Sequence, residues 1–175
     1  MHSSYRTSVI VTSDRASSGA YEDKAGPAAV EWLTAMGFTL RGPAVIVSDD
    51  AARLIAALDF AVDDHDLIVV SGGTGISPRD ITPQTLDRYA DYPVPGIGEH
   101  LRRESFQYST NAYLSRCGAW VRAGTLILAL PGNPKAVVEQ LGIVQDLLKP
   151  ALDAVKGVCQ HRHRTKSEEA HDQLR

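Results

Sequence analysis

The apolar positions along this chain follow two different patterns. Residues 8–11 and 67–70 form short apolar runs bounded by polar residues, a pattern typical of strands buried on both faces. Residues 27–36 and 136–148 instead carry apolar side chains at helical spacing, and the residues after position 50 predict a further helix. Its apolar face consists of Leu54, Ile55, Leu58 and Val62. The alternation predicts an α/β fold, a three-layer αβα sandwich with a mostly parallel sheet.

Turn-forming residues delimit two further elements in the first half of the chain. Residues 39–47 predict a second strand that Gly42 and Pro43 interrupt, which favours a position at the edge of the sheet. Thr82 is predicted to cap a helix that has Pro83 in its first turn and ends near residue 89.

The second half of the chain predicts a helix, a hairpin and a long final helix. A more polar helix is expected over residues 99–108, after a stiff connection that is rich in proline and glycine. Residues 120–121 and 125–130 are separated by Ala-Gly and predict a β-hairpin. Pro150 is expected to kink or restart the helix that precedes it.

Length and composition favour one cytoplasmic domain over residues 1–158. The chain has 175 residues, of which 43% are hydrophobic and 22% charged, as in ordinary globular proteins. Residues 159–175 are polar and predict a disordered tail. Two cysteines without metal-ligand spacing indicate free thiols in a reducing compartment, and neither a signal peptide nor a membrane span is predicted. A net charge of −3 argues against nucleic acid as a partner.

Four polar or glycine-rich segments follow the predicted strands. They are residues 13–15, Asp49 and Asp50, the glycine run 72–75, and residues 131–134. Ligands of open parallel sheets bind beyond the carboxyl ends of the strands. We therefore expect these segments to converge on a single site.

The glycine run consists of Gly72, Gly73, Thr74 and Gly75. It offers backbone amides with little side chain in the way, which suits close approach to the phosphate or sugar of a nucleotide. It is neither a Walker A loop nor a Rossmann fingerprint. A tight strand-to-helix turn accounts for the same residues equally well.

Two acidic residues are candidates for metal binding at this edge. Asp80 follows the glycine run and is a candidate ligand of Mg²⁺, although it also suits a helix N-terminus with Arg79 as its ion-pair partner. Asp49 is a second candidate, although it also suits a helix N-cap. Carboxylates at neighbouring strand ends commonly hold the metal in phosphoryl transfer. The histidines form no recognisable metal site, and no pattern for covalent catalysis is present.

Five motifs follow one another along the chain. They are residues 12–19 (TSDRASSG), 71–83 (SGGTGISPRDITP), 95–99 (PGIGE), 114–116 (LSR) and 130–136 (LPGNPKA). Together they resemble the molybdopterin adenylyltransferases, the family of bacterial Mog and MoaB and of the gephyrin N-terminal domain. The motifs lie in the same order as in that family, and the resemblance extends from about residue 6 to residue 158.

The resemblance implies a reaction, an assembly and a division of roles. Members are homotrimers in which the phosphate of molybdopterin attacks the α-phosphorus of Mg-ATP, and the product passes to a molybdate-insertion protein. Asp49 and Asp80 align with the family's essential acids and would hold Mg²⁺, while the glycine run would line the nucleotide pocket. The residues that align with molybdopterin contacts are Ser13, Ser105, Gly132 and Asn133. Ala129 replaces a frequent asparagine, which implies a missing or replaced contact.

Two alternatives keep the same fold. One is a molybdopterin-binding or scaffold protein without catalysis, against which the presence of both Asp49 and Asp80 argues. The other is a nucleotide hydrolase that resembles the competence-damage-inducible family and shares the central glycine motif. Members of that family usually carry an additional deamidase domain, for which this chain has no room.

Overall fold

A seven-stranded, mostly parallel sheet organises the computed structural model, which describes residues 5–158. The strands are β1 (Arg6–Thr12), β2 (Thr39–Leu40), β3 (Val45–Val47), β4 (Leu67–Ser71), β5 (Tyr92–Pro93), β6 (Gly118–Arg122) and β7 (Thr125–Leu130). The helices are α1 (Asp14–Ser17), α2 (Ala25–Ala35), α3 (Ala51–Val62), α4 (Thr82–Tyr89), α5 (Pro95–Ser105) and α6 (Pro134–Val155), with a 3₁₀ turn at Thr110–Leu114.

The strand order explains why the middle of the sheet is the most apolar part of the chain. The order is β2-β1-β4-β7-β6-β5, with β3 also paired to β1. The pairs β5–β6 and β6–β7 are antiparallel and all other pairs are parallel, so β6 alone runs against the rest of the sheet. All residues of β4 and β7 are buried. A strand with helices over both faces needs apolar side chains on both, which is why these two lack polar alternation.

Helices cover both faces of the sheet and complete the three layers. Helices α2, α5 and α6 pack on one face, where Leu33, Leu101 and Val144 are fully buried. Helices α3 and α4 pack on the other face through Leu54 and Leu86, both also fully buried. The predicted α/β sandwich is therefore confirmed. In residues 5–158, no helix is both long and apolar enough to cross a membrane.

Several predicted elements differ from the structure in detail. The strand expected over residues 39–47 is two short strands, β2 and β3, both paired in parallel with β1 at the edge of the sheet. The polar helix expected over residues 99–108 begins earlier, because Pro95 occupies its first turn, and it ends at Ser105. Helix α6 continues through Pro150 as far as Val155 instead of restarting there.

The predicted N-cap role of Thr82 is wrong. The residue before α4 is Ile81, which makes no side-chain capping bond, and Thr82 is the first helical residue. The Thr82 hydroxyl instead donates to the carbonyl oxygen of Gly72 at 2.8 Å, so it ties the helix to the glycine run. The hairpin is confirmed, with Ala123 and Gly124 both at positive φ in its turn. The tail predicted over residues 159–175 lies outside the described residues.

Candidate functional site

The carboxyl ends of the parallel strands open into one cavity of about 590 Å³. Every residue to which the sequence analysis assigned a metal, nucleotide or molybdopterin contact lies on its wall, whereas Asp14, Arg15, Asp50 and Pro134 of the converging segments do not line it. The assigned residues on the wall are Ser13, Asp49, Gly72, Gly73, Thr74, Gly75, Asp80, Ser105, Gly132 and Asn133. They come together because β1, β3, β4 and β7 all end at the same edge. Their individual roles stay predictions.

Glycine is required where the run leaves β4. Gly72 has φ 111°, and a Cβ there would lie 2.3 Å from the carbonyl oxygen of Thr12. A Cβ on Gly132 would lie 3.2 Å from the Cα of Gly72, so the last loop also approaches closely. The run is thus packed between the end of β1 and the loop after β7, which gives it a defined shape.

The carbonyl oxygens of the glycine run all accept hydrogen bonds from elsewhere in the chain. Gly72 accepts from the Thr82 hydroxyl at 2.8 Å, and Gly73 accepts from the Thr82 amide at 3.1 Å. Thr74 accepts from the amide of Arg116 at 2.7 Å, and Gly75 accepts from Nε of the same arginine, also at 2.7 Å. Hydrogen bonds from Thr82 and Arg116 therefore hold the backbone of the run in one conformation.

Asp49 is held by a reciprocal pair of hydrogen bonds with Asp14. The Asp14 amide donates to Asp49 Oδ2 at 3.1 Å, and the Asp49 amide donates to Asp14 Oδ1 at 2.9 Å. Asp50, and not Asp49, caps α3 by accepting from the Arg53 amide. The alternative reading of Asp49 as an N-cap is therefore wrong.

Arg79 pairs with Asp14 and not with Asp80. The hydrogen bond from the Asp49 amide, followed by that from Arg79, holds the pKa of Asp14 below its ordinary value. Asp14 thus stays ionised and binds both the neighbouring strand end and Arg79. The ion pair expected between Asp80 and Arg79 does not form, which leaves the Asp80 side chain available at the cavity wall.

Asp80 is oriented by its own loop. Its Oδ2 accepts from the Ser77 amide at 2.8 Å, and a Cβ on Gly75 would lie 2.7 Å from that oxygen. Within residues 5–158, Asp80 Oδ1 and Asp49 Oδ1 accept no hydrogen bond. Two such carboxylate oxygens on one cavity wall fit Mg²⁺, which prefers oxygen ligands.

The donor set is too small to form a protein-only metal cage. In the described part of the chain, no group of three or more His, Cys, Asp or Glu side chains is arranged to hold a metal ion. Mg²⁺ typically binds through one or two carboxylates together with substrate phosphates and water. Asp49 and Asp80 fit that kind of site. His65 and His100 hydrogen-bond to the main-chain oxygens of Ala61 and Ile143 instead.

Gln140 belongs to the cavity wall and was missed by the sequence analysis. It is 4% exposed, its Nε2 donates to Ser105 Oγ at 3.2 Å, and its Oε1 has no hydrogen-bond partner among the residues that the structure describes. The available signal was its position beside Leu141, between Val137 and Val144, on the apolar face of α6. A polar side chain on a buried helix face usually has a specific partner.

Asn133 and Ala129 each have a structural role. The Asn133 side chain caps α6 by accepting from the amides of Lys135 at 2.9 Å and Ala136 at 3.2 Å. Ala129 is fully buried in β7 and packs with the core on the α3 and α4 side. Position 129 is therefore part of the core in this protein.

Known proteins resemble this chain in sequence and in fold. Residues 8–154 match the family described as "Probable molybdopterin binding domain". The chain belongs to this family. It is 40% identical over 144 residues to the molybdopterin adenylyltransferase of Escherichia coli, an alignment that covers 81% of this chain and 74% of that protein.

Two further relatives show the same relationship. The molybdenum cofactor biosynthesis bifunctional protein of Synechococcus elongatus is 39% identical over 150 residues, 85% of this chain. The chain spans only 47% of that relative's length. The structure of the molybdopterin biosynthesis enzyme MoaB of Thermus thermophilus superposes with a TM-score of 0.81 at 35% identity, covering 87% of this chain and 97% of that one.

Proposed function

We propose that this protein transfers AMP from Mg-ATP to the phosphate of molybdopterin and releases pyrophosphate. The observation that carries the proposal is one cavity in which the glycine run meets two carboxylates, each with one oxygen that accepts no hydrogen bond from residues 5–158. The name of the E. coli relative supports the same reaction, and the description of the family supports molybdopterin as the ligand.

The reaction needs positioning and charge neutralisation more than covalent chemistry. An oxygen of the molybdopterin phosphate bonds to the α-phosphorus of ATP, and the bond from that phosphorus to the β-phosphate bridging oxygen breaks. The bonding electrons leave with pyrophosphate. Because the attacking phosphate is already ionised at neutral pH, the cavity needs no general base for this step.

The residues of the cavity divide into three groups in this proposal. Asp49 and Asp80 hold Mg²⁺, which neutralises charge on the reacting phosphates. The glycine run 72–75 lines the nucleotide pocket and holds the phosphates of the nucleotide through its backbone amides from Gly73 onward. The molybdopterin contacts come from Ser13, Ser105, Gly132 and Asn133, all on the same wall.

The setting of the enzyme is part of the proposal. We infer that it works in the cytoplasm as a homotrimer and passes its product to a molybdate-insertion protein. The resemblance to the adenylyltransferase family supports the assembly and the hand-over. Cys117, a buried free thiol in the described chain, fits a reducing compartment.

The test is product formation from ATP, Mg²⁺ and purified molybdopterin. Asp49→Asn and Asp80→Asn are each expected to reduce turnover about 100-fold or more, because the carboxylate charge is lost while the shape is kept. Asp50→Asn is the matched control. It neighbours Asp49 but caps α3, a role that asparagine fulfils equally well, so turnover should stay within about twofold.

The outcomes separate transfer from binding. Adenylylated molybdopterin and pyrophosphate from the parent, with loss in both site variants, support the proposal. A parent protein that binds molybdopterin but forms no product with ATP in excess contradicts it and establishes a binding protein of the same fold.

A further inference from the structure

Most backbone amides of the glycine run, and the amide that follows it, have no acceptor among residues 5–158. In residues 5–158, the amides of Gly73, Thr74, Gly75 and Ile76 donate to no protein oxygen, whereas the Gly72 amide donates to Leu130. All of these residues line the cavity. Unpaired successive amides in a water-accessible loop suit an anion such as phosphate.

The direction of these amides follows from the carbonyl bonds. In a trans peptide, the carbonyl of one residue and the amide N–H of the next point in opposite directions. The carbonyl of Thr74 accepts from the main-chain amide of Arg116 and that of Gly75 accepts from Arg116 Nε, both at 2.7 Å. The amides of Gly75 and Ile76 therefore point away from that residue.

Arg116 lies behind the loop and makes further bonds that brace it. Its guanidinium donates to the carbonyl oxygen of Asp80 at 2.6 Å and to Gln84 Oε1 at 2.6 Å. Gln84 Nε2 in turn donates to the same Asp80 oxygen at 2.9 Å. Among the described residues, Arg116 belongs to the wall of a second cavity of about 450 Å³ and not to that of the first.

We propose that Arg116 is a positioning residue whose side chain turns the amide of Ile76 toward the phosphates of the nucleotide, beside the amide of Gly75, which the main chain of Arg116 orients through Thr74. The same side chain connects the loop to the Asp80 backbone, so it also sets the distance between the amides and that carboxylate. The inference rests on the proposed function for the identity of the ligand, but its geometry concerns any phosphate in the cavity.

The fork of arginine is needed because its targets lie in different directions. Nε, Nη1 and Nη2 each bond to a different acceptor, on Gly75, Gln84 and Asp80 respectively. Lysine carries its donors on one nitrogen and cannot span these oxygens. We therefore expect Arg116→Lys to restore only part of what Arg116→Met removes.

The experiment measures binding of two probes to the full-length protein: inorganic tripolyphosphate and molybdopterin. Arg116→Met is expected to weaken tripolyphosphate binding about 10-fold or more, with Arg116→Lys in between, while molybdopterin affinity changes by less than about twofold. In turnover, the KM for ATP should rise more than the KM for molybdopterin.

Arg102 supplies the matched control. It is also half-buried and lines the second cavity, but its bond at 2.9 Å goes to the carbonyl of Cys117 and not to the glycine run. Arg102→Met should leave tripolyphosphate binding within about twofold of the parent. The two variants therefore separate the loss of a bond to the loop from the general effect of removing an arginine there.

Each outcome has a defined meaning. Parental tripolyphosphate affinity in Arg116→Met overturns the inference, and so does an equal loss for both probes that Arg102→Met reproduces. A parent that binds no tripolyphosphate also overturns it. A parent that binds tripolyphosphate but makes no adenylylated molybdopterin contradicts the proposed function alone, and the comparison of variants still decides the role of Arg116.

Discussion

At the scale of single residues, Gly72 and Gly75 serve the same loop for different reasons. Gly72 combines a positive φ with a close approach to the Thr12 carbonyl, so any side chain there meets backbone. Gly75 does not have a positive φ, and a Cβ there would meet the Asp80 carboxylate, whose Oδ2 would lie 2.7 Å away. The first glycine permits the fold of the loop, and the second permits the position of an acidic side chain.

Alanine should therefore mainly lower the stability at position 72 and mainly lower the activity at position 75. We expect Gly72→Ala to lower the free energy of unfolding by about 3 kcal/mol, because strain and overlap add. Gly75→Ala should displace the Asp80 carboxylate and reduce turnover about 10-fold or more with little change in stability. Denaturant unfolding and initial rates measure the two effects.

Gly142 provides the control for these substitutions. It lies inside α6, where a Cβ would meet no atom within 4 Å. Gly142→Ala should raise the free energy of unfolding by about 0.5–1 kcal/mol and leave turnover unchanged. Equal losses of activity in Gly75→Ala and Gly142→Ala would contradict the assignment of Gly75.

Gln140 is expected to lower the stability of the fold while it supports ligand binding in the cavity. Its buried Oε1 is unpaired, so Gln140→Met should raise the free energy of unfolding by about 1 kcal/mol. The same change removes the donor to Ser105 and should weaken molybdopterin binding about 10-fold. Thermal unfolding and direct binding test the pair of effects, and a variant that is less stable but binds normally would contradict both.

At the scale of elements, the start of α6 combines a cap with a predicted ligand contact. Asn133 accepts from two amides of the first turn, as the preferred N-cap residues do. Such a residue is under two constraints, and a loss of activity on mutation does not by itself distinguish them. The cap can be kept while the amide group is removed, because serine also caps helices well.

Two substitutions of Asn133 separate the roles. Asn133→Ala should lower the free energy of unfolding by about 1 kcal/mol, and Asn133→Ser should leave it nearly unchanged. If the side-chain amide also contacts molybdopterin, both variants raise the KM for molybdopterin by a similar factor. A rise confined to Asn133→Ala would instead assign the residue to the helix alone.

At the scale of the whole molecule, a charged cluster closes the edge of the sheet opposite the cavity. Asp66 precedes β4 with its side chain only 7% exposed, and its carboxylate accepts from the Arg6 amide at 2.7 Å. Nζ of Lys156, the residue just after α6, lies 2.8 Å from Asp66 Oδ1. The cluster thus joins the first strand and the end of the last helix to the centre of the sheet.

This cluster predicts how stability depends on pH. Burial raises the pKa of Asp66, but the hydrogen bonds from Lys156 and the Arg6 amide outweigh it and leave the pKa below its ordinary value of 3.8. A depressed folded-state pKa stabilises the protein above pH 3.8, and this contribution disappears as the pH falls through the folded-state pKa.

The measurement is the free energy of unfolding between pH 6 and pH 2 for the parent and for Asp66→Asn. The variant should be about 1–2 kcal/mol less stable at pH 6, a value discounted for the partial exposure of Lys156, and the difference should shrink toward pH 2. A difference that stays constant with pH would show that the ionised carboxylate is not responsible.

The sequence by itself determined the layers of the fold and the edge of the sheet where the site lies. Continuous apolar runs such as those in β4 and β7 leave no polar face for water, so both faces must be covered by helices. Parallel strands then bring their carboxyl ends to one edge whatever the details of packing. That is why segments as distant as Ser13 and Asn133 were predicted to meet, and they line one cavity.

Only the tertiary structure decided which polar groups pair across elements. Thr82 was predicted as a cap and bonds instead to Gly72, and Arg79 forms its ion pair with Asp14 and not with Asp80. Gln140 donates a hydrogen bond to Ser105, 35 residues away. Arg116 reaches Gly75 across 41 residues. Local propensity describes what a residue does for its own helix or turn, whereas these bonds depend on the distances and directions that packing imposes between separate elements.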